Sequence, residues 1–224
     1  MDSVAYQSLV FVHLLLFVLW LGADVGVFTL GQHFRKRRVY TLDQRLALLK
    51  LLVAVDMTPR TAWALMVPVS LTLAVAGGWA LLPIWVVAAA WLLGGVWLWL
   101  VWDAHLHDQT PRAARDRRWE TPIKLAIMLG YLALGGWSLL FGEPIVVRFV
   151  AWKALLFGLI FAAAMAIDAH FRPVGPQLAR LIAEGSSDAT ELPLLRTMNL
   201  TRIWVWAVYL LLLLTAWLGV VKPA

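Results

Sequence analysis

The sequence predicts an all-α integral membrane protein, folded as a bundle of six transmembrane helices. Hydrophobic residues make up 62% of its 224 residues, whereas soluble domains contain about 45–50%. Charged residues account for only 14%. The apolar residues gather into six blocks, each close to the ~20 residues that cross a bilayer as a helix. An ordinary soluble domain is therefore excluded.

The predicted spans are joined by connections of two kinds. They cover residues 9–31, 61–82, 84–102, 123–141, 149–167 and 203–221. Only Pro83 separates the second span from the third, and residues 142–148 separate the fourth from the fifth, which predicts two tight antiparallel hairpins. The other connections are long and polar. In the first of these, Thr41 and Gln44 show the pattern of a capping box, and residues 44–55 are predicted to form an interfacial helix.

The distribution of basic residues predicts the orientation of this single membrane domain, residues 1–224. Of the 19 Lys and Arg residues, 16 lie in or directly beside the three long connections, with Lys124 at the start of the fourth span. By the positive-inside rule these connections face the cytoplasm, so both termini lie outside. The expected location is a bacterial inner membrane, with the lipid bilayer as the main partner. The net charge of +6 reflects this orientation, and no nucleic-acid role is predicted.

The absence of cysteine excludes disulfides, thiolate metal sites and iron–sulfur clusters. Any redox chemistry therefore needs a bound cofactor. The first apolar block lacks a basic leading segment and a cleavage site, so it is predicted to be a retained helix. No phosphate-binding loop, zinc helix or serine nucleophile motif is present.

A weak threefold repeat runs through the spans. The first, third and fifth spans each meet an aspartate near the cytoplasmic side, at Asp24, Asp103 and Asp168. The last two begin identical Asp-Ala-His tripeptides, which end at His105 and His170. Three related helical hairpins are therefore predicted.

The even-numbered spans begin with polar residues that allow two interpretations. Two of them carry an acid four positions before a base, and the sixth begins beside a single arginine; the residues are Asp56, Arg60, Glu120, Lys124 and Arg202. Acid–base pairs at this spacing also form ordinary helical ion pairs worth about 0.2–0.5 kcal/mol. Thr58-Pro59 and Thr121-Pro122 are typical of helix starts, with Thr at the N-cap and Pro at the first helical position.

Asp24 lies deeper than the other acids. It precedes the end of the first span, Gly31, by seven residues, which corresponds to about 10 Å along a helix. An ionised carboxylate at such a depth costs about 2.5–3.5 kcal/mol unless it faces the interior of the bundle and finds a partner. Asp24 is therefore either functional or a structural partner of Arg60 or Arg202.

The histidines fall at two depths. His13 lies about 6 Å in from the outer end of the first span, whereas His33, His105, His107 and His170 lie at the cytoplasmic edge. His13 therefore cannot share a pair of axial ligands with any of the others in one subunit.

His105 and His170 occupy matched positions on parallel spans. Two such imidazoles can hold a b-type haem or a divalent metal ion, with Asp103 and Asp168 orienting them or serving as oxygen ligands. The alternative is that these histidines are interfacial residues in contact with headgroups and water.

The opening helix resembles that of a known membrane group. Phe11-Val-His13, followed by Trp20-Leu-Gly22, is similar to the first helix of the group that includes copper-resistance protein D and the HemJ-type protoporphyrinogen oxidases. The resemblance covers about one span in six. It implies that His13 binds a tetrapyrrole. Because the outer halves of the later spans contain no second histidine or methionine, five-coordinate binding is expected.

These observations lead to three functional hypotheses. The first is a protein that binds haem b or a related tetrapyrrole in a redox role, of oxidoreductase type if it is an enzyme. The second is a transporter or channel for protons or metal ions, lined by Asp24, Asp103 and Asp168, with His105 and His170 at its inner mouth. The third is an accessory subunit that packs against a membrane partner or a second copy of the chain.

Overall fold

The computed structural model describes residues 3–223, and these residues form seven α-helices and no β-strand. The helices are α1 (Val4–Phe34), α2 (Leu42–Ala76), α3 (Ile84–Leu106), α4 (Pro111–Phe141), α5 (Arg148–Phe171), α6 (Val174–Glu184) and α7 (Asp188–Val221). Six segments are long and apolar enough to cross a membrane, and one of them, Arg148–Glu184, contains both α5 and the short α6. The predicted all-α class and the six long helices are thus confirmed, and they are compatible with a multi-pass membrane protein.

Helix α2 is longer than the sequence patterns suggest. The predicted interfacial helix at 44–55 and most of the predicted span at 61–82 belong to this one helix, which ends at Ala76. The predicted helix start at Thr58-Pro59 is wrong, because Pro59 lies inside α2. A proline removes one backbone hydrogen bond, and a long, packed helix tolerates that loss.

The true start of α2 is the capping box. Thr41 Oγ1 accepts a hydrogen bond from the Gln44 backbone N–H at 3.3 Å, and Gln44 Oε1 accepts one from the Thr41 N–H at 3.0 Å. Pro122 likewise lies inside α4, whose N-cap is Thr110, so the second predicted Thr-Pro start is also wrong. Helix α7 begins with its own capping box at Ser187, well before residue 203.

Consecutive long helices pack side by side. Helix α1 packs on α2, α2 on α3, α3 on α4, α4 on α5, and α5 on α7, while α6 contacts α7. Helices α4 and α5 approach each other closely at Gly135, where an added Cβ atom would overlap the backbone of Leu155. The neighbouring Gly136 has no atom within 4 Å of the same position. Of these two adjacent glycines, Gly135 therefore makes the close contact.

The bundle has two chemically different ends. Helices α1, α3 and α5 begin at one end, which we call the cavity end, and they finish at the other, the charged end. At the cavity end, two loops pair through the backbone: Leu81 N–H donates to Pro144 O at 2.8 Å and Val146 N–H donates to Trp79 O at 3.0 Å. The ring of Trp79 also meets Tyr6 of α1 edge-on, at 6.4 Å between centroids.

Between the two ends lies an aromatic layer, formed by Trp20, Trp63, Trp97, Phe157 and Phe161. Trp63 is at its centre, with ring centroids 5.7 Å from Trp20, 4.9 Å from Trp97 and 4.5 Å from Phe161. Trp97 and Phe161 are almost completely buried. The layer joins α1, α2, α3 and α5 through large aromatic surfaces.

A buried ion pair holds the beginning of α7 at the charged end. The Arg45 guanidinium binds both carboxylate oxygens of Glu191, at 2.5 and 2.9 Å, and its Nε donates to the carbonyl of Phe34 at 2.6 Å. Both charged side chains are almost fully buried. The pair therefore connects the end of α1, the start of α2 and the first turn of α7.

Candidate functional site

A cavity of about 440 Å³ lies at the cavity end of the bundle. Helices α1, α2, α4, α5 and α7 all contribute to its wall, which is mostly apolar and aromatic. The polar and charged side chains in its wall include Tyr6, Gln7, His13, Ser70, Tyr131, Lys153, Thr215 and Lys222. This size and composition are those of a site for a small molecule or cofactor.

His13 reaches the cavity from the inward face of α1. Leu16 and Trp20, which share that face by helical spacing, are buried, whereas Phe11 and Val18 on other faces are exposed. The Nδ1 atom of His13 is fully buried and has no hydrogen-bond partner in residues 3–223. Buried polar atoms are nearly always hydrogen-bonded, so this nitrogen needs an explanation.

Lys153 enters the same cavity from α5. Its Nζ lies 2.5 Å from the position that a Cβ atom would occupy at Gly219 of α7, so the glycine makes room for the ammonium group. His13 and Lys222 are its charged or ionisable neighbours. No carboxylate within the described part of the chain forms a salt bridge with Lys153. An unpaired cation in apolar surroundings favours an anionic ligand.

Three hydroxyl groups of the cavity wall are hydrogen-bonded within the protein. The Tyr131 hydroxyl donates to the carbonyl of Val67 at 3.1 Å and lies 3.0 Å from the hydroxyl oxygen of Ser70. The Thr215 hydroxyl donates to the carbonyl of Leu211 at 2.7 Å. His13 and Lys153 are the most deeply placed wall groups that keep binding capacity for a ligand, and Lys222 lies beside Lys153.

Below the aromatic layer, polar residues inside α2 and α4 form a charged network with the end of α5. Arg60 binds Asp56 at 2.5 Å, and Lys124 lies 3.3 Å from Glu120 and 3.0 Å from Asp168 of α5. The two predicted acid–base pairs at i and i+4 are therefore formed. Lys124 adds a link between α4 and α5 that the sequence spacing does not indicate.

Asp24 completes this network from α1. Asp56 and Arg60 are its charged neighbours, and the Tyr209 hydroxyl of α7 donates to its backbone carbonyl at 2.9 Å. Of the two partners considered from the sequence, Arg60 lies beside Asp24, whereas Arg202 is exposed and lies near Arg35. With Asp24, the network holds four acids, Asp24, Asp56, Glu120 and Asp168, and two bases.

The Asp103 carboxylate forms a salt bridge that the sequence did not suggest. Arg112, the second residue of α4, binds both carboxylate oxygens of Asp103, at 2.5 and 2.6 Å. His107 Nδ1 lies 3.4 Å from the same carboxylate. The only sequence signal is an arginine just beyond the short loop between α3 and α4.

His105 and His170 contact different elements. The ring of His105 meets Trp102 of α3 at 6.1 Å between centroids. His170 is exposed, with Nδ1 2.7 Å from the carbonyl of Ala166 and its ring 6.0 Å from Trp204 of α7. Among residues 3–223, no three His, Asp or Glu side chains are grouped to hold a metal ion.

Lys153 is the functional candidate that sequence reasoning missed. It is a single lysine near the start of the apolar stretch at 149–167. The cost of placing a charge in such a stretch is a signal that could have identified it. Comparison with known proteins adds no assignment: no protein-family model, curated protein or solved structure matches this chain.

Proposed function

We propose that this protein is a multi-pass membrane protein that binds haem b or a related tetrapyrrole in the cavity and has a redox role. The observation that carries the proposal is the buried, unpartnered Nδ1 of His13 in an apolar cavity that also holds an unpaired lysine. The cavity volume, about 440 Å³, lies within the range of about 300–1,000 Å³ that is usual for cofactor sites.

The residues present fit such a cofactor. His13 would supply an imidazole ligand to the iron, and Lys153 and Lys222 would neutralise the propionate carboxylates. Trp20, Phe149 and Phe157 line the cavity and would pack against the flat ring system. When bound, a haem supplies one-electron redox chemistry. The protein's own contribution is to orient the ring, exclude water and hold the carboxylates.

The test is a visible spectrum of the purified protein titrated with haem. We expect a Soret band that is lost in His13→Ala and kept in His105→Ala, His170→Ala and the control His107→Ala. If the inner pair is the ligand set instead, the band depends on His105 and His170 and tolerates the change at His13. Absence of any Soret band after titration would contradict both versions.

The role of Lys153 is tested with a chemically matched ligand. Haem dimethyl ester has the same ring but no free carboxylates. We expect Lys153→Met to weaken the binding of haem and to leave the binding of the dimethyl ester unchanged. An equal loss of affinity for haem and for the dimethyl ester would show that Lys153 only shapes the cavity.

Proton or metal-ion transport is a second candidate, favoured by the charged network. Its four acids face only two bases, and no base forms a salt bridge with the Asp24 carboxylate in residues 3–223. In reconstituted vesicles we expect Asp24→Asn to fold normally and to abolish ion movement, while Asp108→Asn, in an exposed loop, has no effect. Full transport in Asp24→Asn would leave Asp24 with a structural role.

The proposed orientation, with both termini outside the bacterial inner membrane, rests on the distribution of basic residues. Reporter fusions after Pro83 and Glu143 should be located outside. Fusions after Arg38, Asp116 and Ser187 should be cytoplasmic. Two or more reversed reporters would contradict this topology.

A further inference from the structure

Two arginines come together at the charged end, away from the charged network. Arg35 directly follows α1, and its Nη2 donates a hydrogen bond to the side-chain oxygen of Asn199 on α7. Residues three apart on a helix share a face, so Asn199 and Arg202 lie side by side. The Asn199 contact therefore holds the Arg35 guanidinium beside Arg202.

Neither arginine has a counter-ion. No carboxylate in residues 3–223 forms a salt bridge with Arg35 or Arg202, although the nearby Arg37 and Arg45 are paired with Asp188 and Glu191. The Nη1 atom of Arg35 is buried and has no acceptor. Burial, together with the positive charge of Arg202, lowers the pKa of Arg35 from its ordinary value. Two adjacent cations with a free buried donor favour an oxyanion.

The position of this pair indicates where such an anion would come from. Immediately after Arg202, α7 exposes Ile203 and Trp206, and the ring of Trp206 packs against Phe28 of α1 at 5.4 Å. The exposed apolar surface of α7 thus begins directly beside the two arginines. A phospholipid fits both parts, with its phosphate at the arginines and its acyl chains along the apolar surface.

We propose that Arg35, Arg202 and Asn199 form a binding site for a phosphate group, the chemistry shared by an anionic phospholipid headgroup and free phosphate. A planar guanidinium offers two parallel N–H donors to phosphate oxygens. The arginine pair supplies the charge, and Asn199 fixes the orientation of Arg35. This site is separate from the cavity and does not depend on the proposed function.

The experiment measures the thermal stability of the full chain in detergent during titration with phosphatidylglycerol, phosphatidylcholine or inorganic phosphate. We expect phosphatidylglycerol to raise the Tm and phosphatidylcholine to have no effect. Arg202→Gln should weaken phosphatidylglycerol binding about tenfold, the loss of one charge-assisted hydrogen bond. The matched control is Arg38→Gln, an exposed arginine in the connection after α1, which should bind as the unchanged protein does.

The outcomes separate the two sources of phosphate. Stabilisation by the lipid alone assigns the site to a headgroup, and equal stabilisation by inorganic phosphate assigns it to a soluble anion. Equal losses of phosphatidylglycerol affinity in Arg38→Gln and Arg202→Gln would overturn the proposal, since both losses would then reflect surface charge. It is also overturned if neither anion raises the Tm of the unchanged protein. Arg35→Gln is a second variant of the site and should also weaken phosphatidylglycerol binding. If it fails to fold, Arg202→Gln still tests the proposal, because Arg202 is exposed.

Discussion

At the cavity end, His13 and Lys153 have no hydrogen-bonding or ionic partner in the described residues, whereas at the charged end Arg60 and Lys124 are held by carboxylates. Both sets of side chains lie among long apolar helices. A paired charge offsets most of its own desolvation cost, and an unpaired polar group does not. The difference indicates that the charged end is largely complete within the protein, while the cavity end keeps polar groups for the ligand proposed above.

The same comparison separates two contributions of polar residues, to stability and to binding. Polar groups at the charged end should stabilise the fold in proportion to their burial. Polar groups at the cavity end should contribute little to stability, and their removal should affect ligand binding instead. Four experiments, from the largest expected effect to the smallest, test how the two ends contribute to stability.

The largest effect is expected at the Arg45–Glu191 pair, the most deeply buried charges of the chain. Glu191→Gln removes the anion and leaves the Arg45 guanidinium buried without a counter-ion. Breaking a buried ion pair in this way costs about 3–5 kcal/mol. Denaturant unfolding in detergent measures the change. The exposed pair Arg180–Glu184 is the control, and Glu184→Gln should cost less than about 1 kcal/mol.

The next effect concerns the contact between α4 and α5, on which both ends depend. Gly135→Ala places a methyl group against the backbone of Leu155, so the helices must separate. Overpacking of this kind costs about 1–3 kcal/mol. Gly136→Ala meets open space and should leave the Tm unchanged. Equal Tm values for the two variants would show that the helices do not approach each other at Gly135.

A matched pair of lysines tests the comparison directly. Lys124→Met leaves the buried Glu120 carboxylate without its partner and should cost about 1–3 kcal/mol. Lys153→Met removes an unpaired cation from apolar surroundings and should leave the free energy of unfolding unchanged or raise it. Unfolding of both variants without added ligand gives the answer. A larger loss for Lys153→Met would mean that the two ends do not differ as described.

The smallest effect is expected at an exposed pair beside the charged end. A hydrogen bond from Arg117, at 2.6 Å, lowers the pKa of the Asp108 carboxyl below its ordinary value. Stability from this pair is therefore present above the ordinary pKa of about 3.9 and is lost as the pH falls through the lowered value in the folded state. Asp108→Asn should cost less than about 1 kcal/mol at pH 7.

The pH dependence supplies the control for Asp108. At a pH below both pKa values, the carboxyl is protonated in the folded and the unfolded protein. The unchanged protein and Asp108→Asn should then have the same Tm. A difference that persists in acid would point to a neutral interaction of Asp108 in place of the ion pair.

The six long helices were predictable because long apolar blocks admit few other structures. The continuity of α2 was not, since Thr58-Pro59 is compatible both with a helix start and with the interior of a long helix. His13 was identified through a short family resemblance. Lys153 was missed because the space for its ammonium group depends on Gly219, far away in the sequence. Arg112 was missed because its pairing with Asp103 depends on the geometry of a loop.

The aromatic layer around Trp63 lies between the cavity and the charged network, and it affects which solution each of them contacts. Closely packed rings leave little space for a chain of water molecules, so any passage of protons or ions between the two ends requires the rings to move apart. In a bilayer, most of the transmembrane voltage would fall across these rings, at about 2.3 kcal/mol per elementary charge for each 100 mV. The cavity would then equilibrate with the solution on one side, and the charged network would follow the pH on the other.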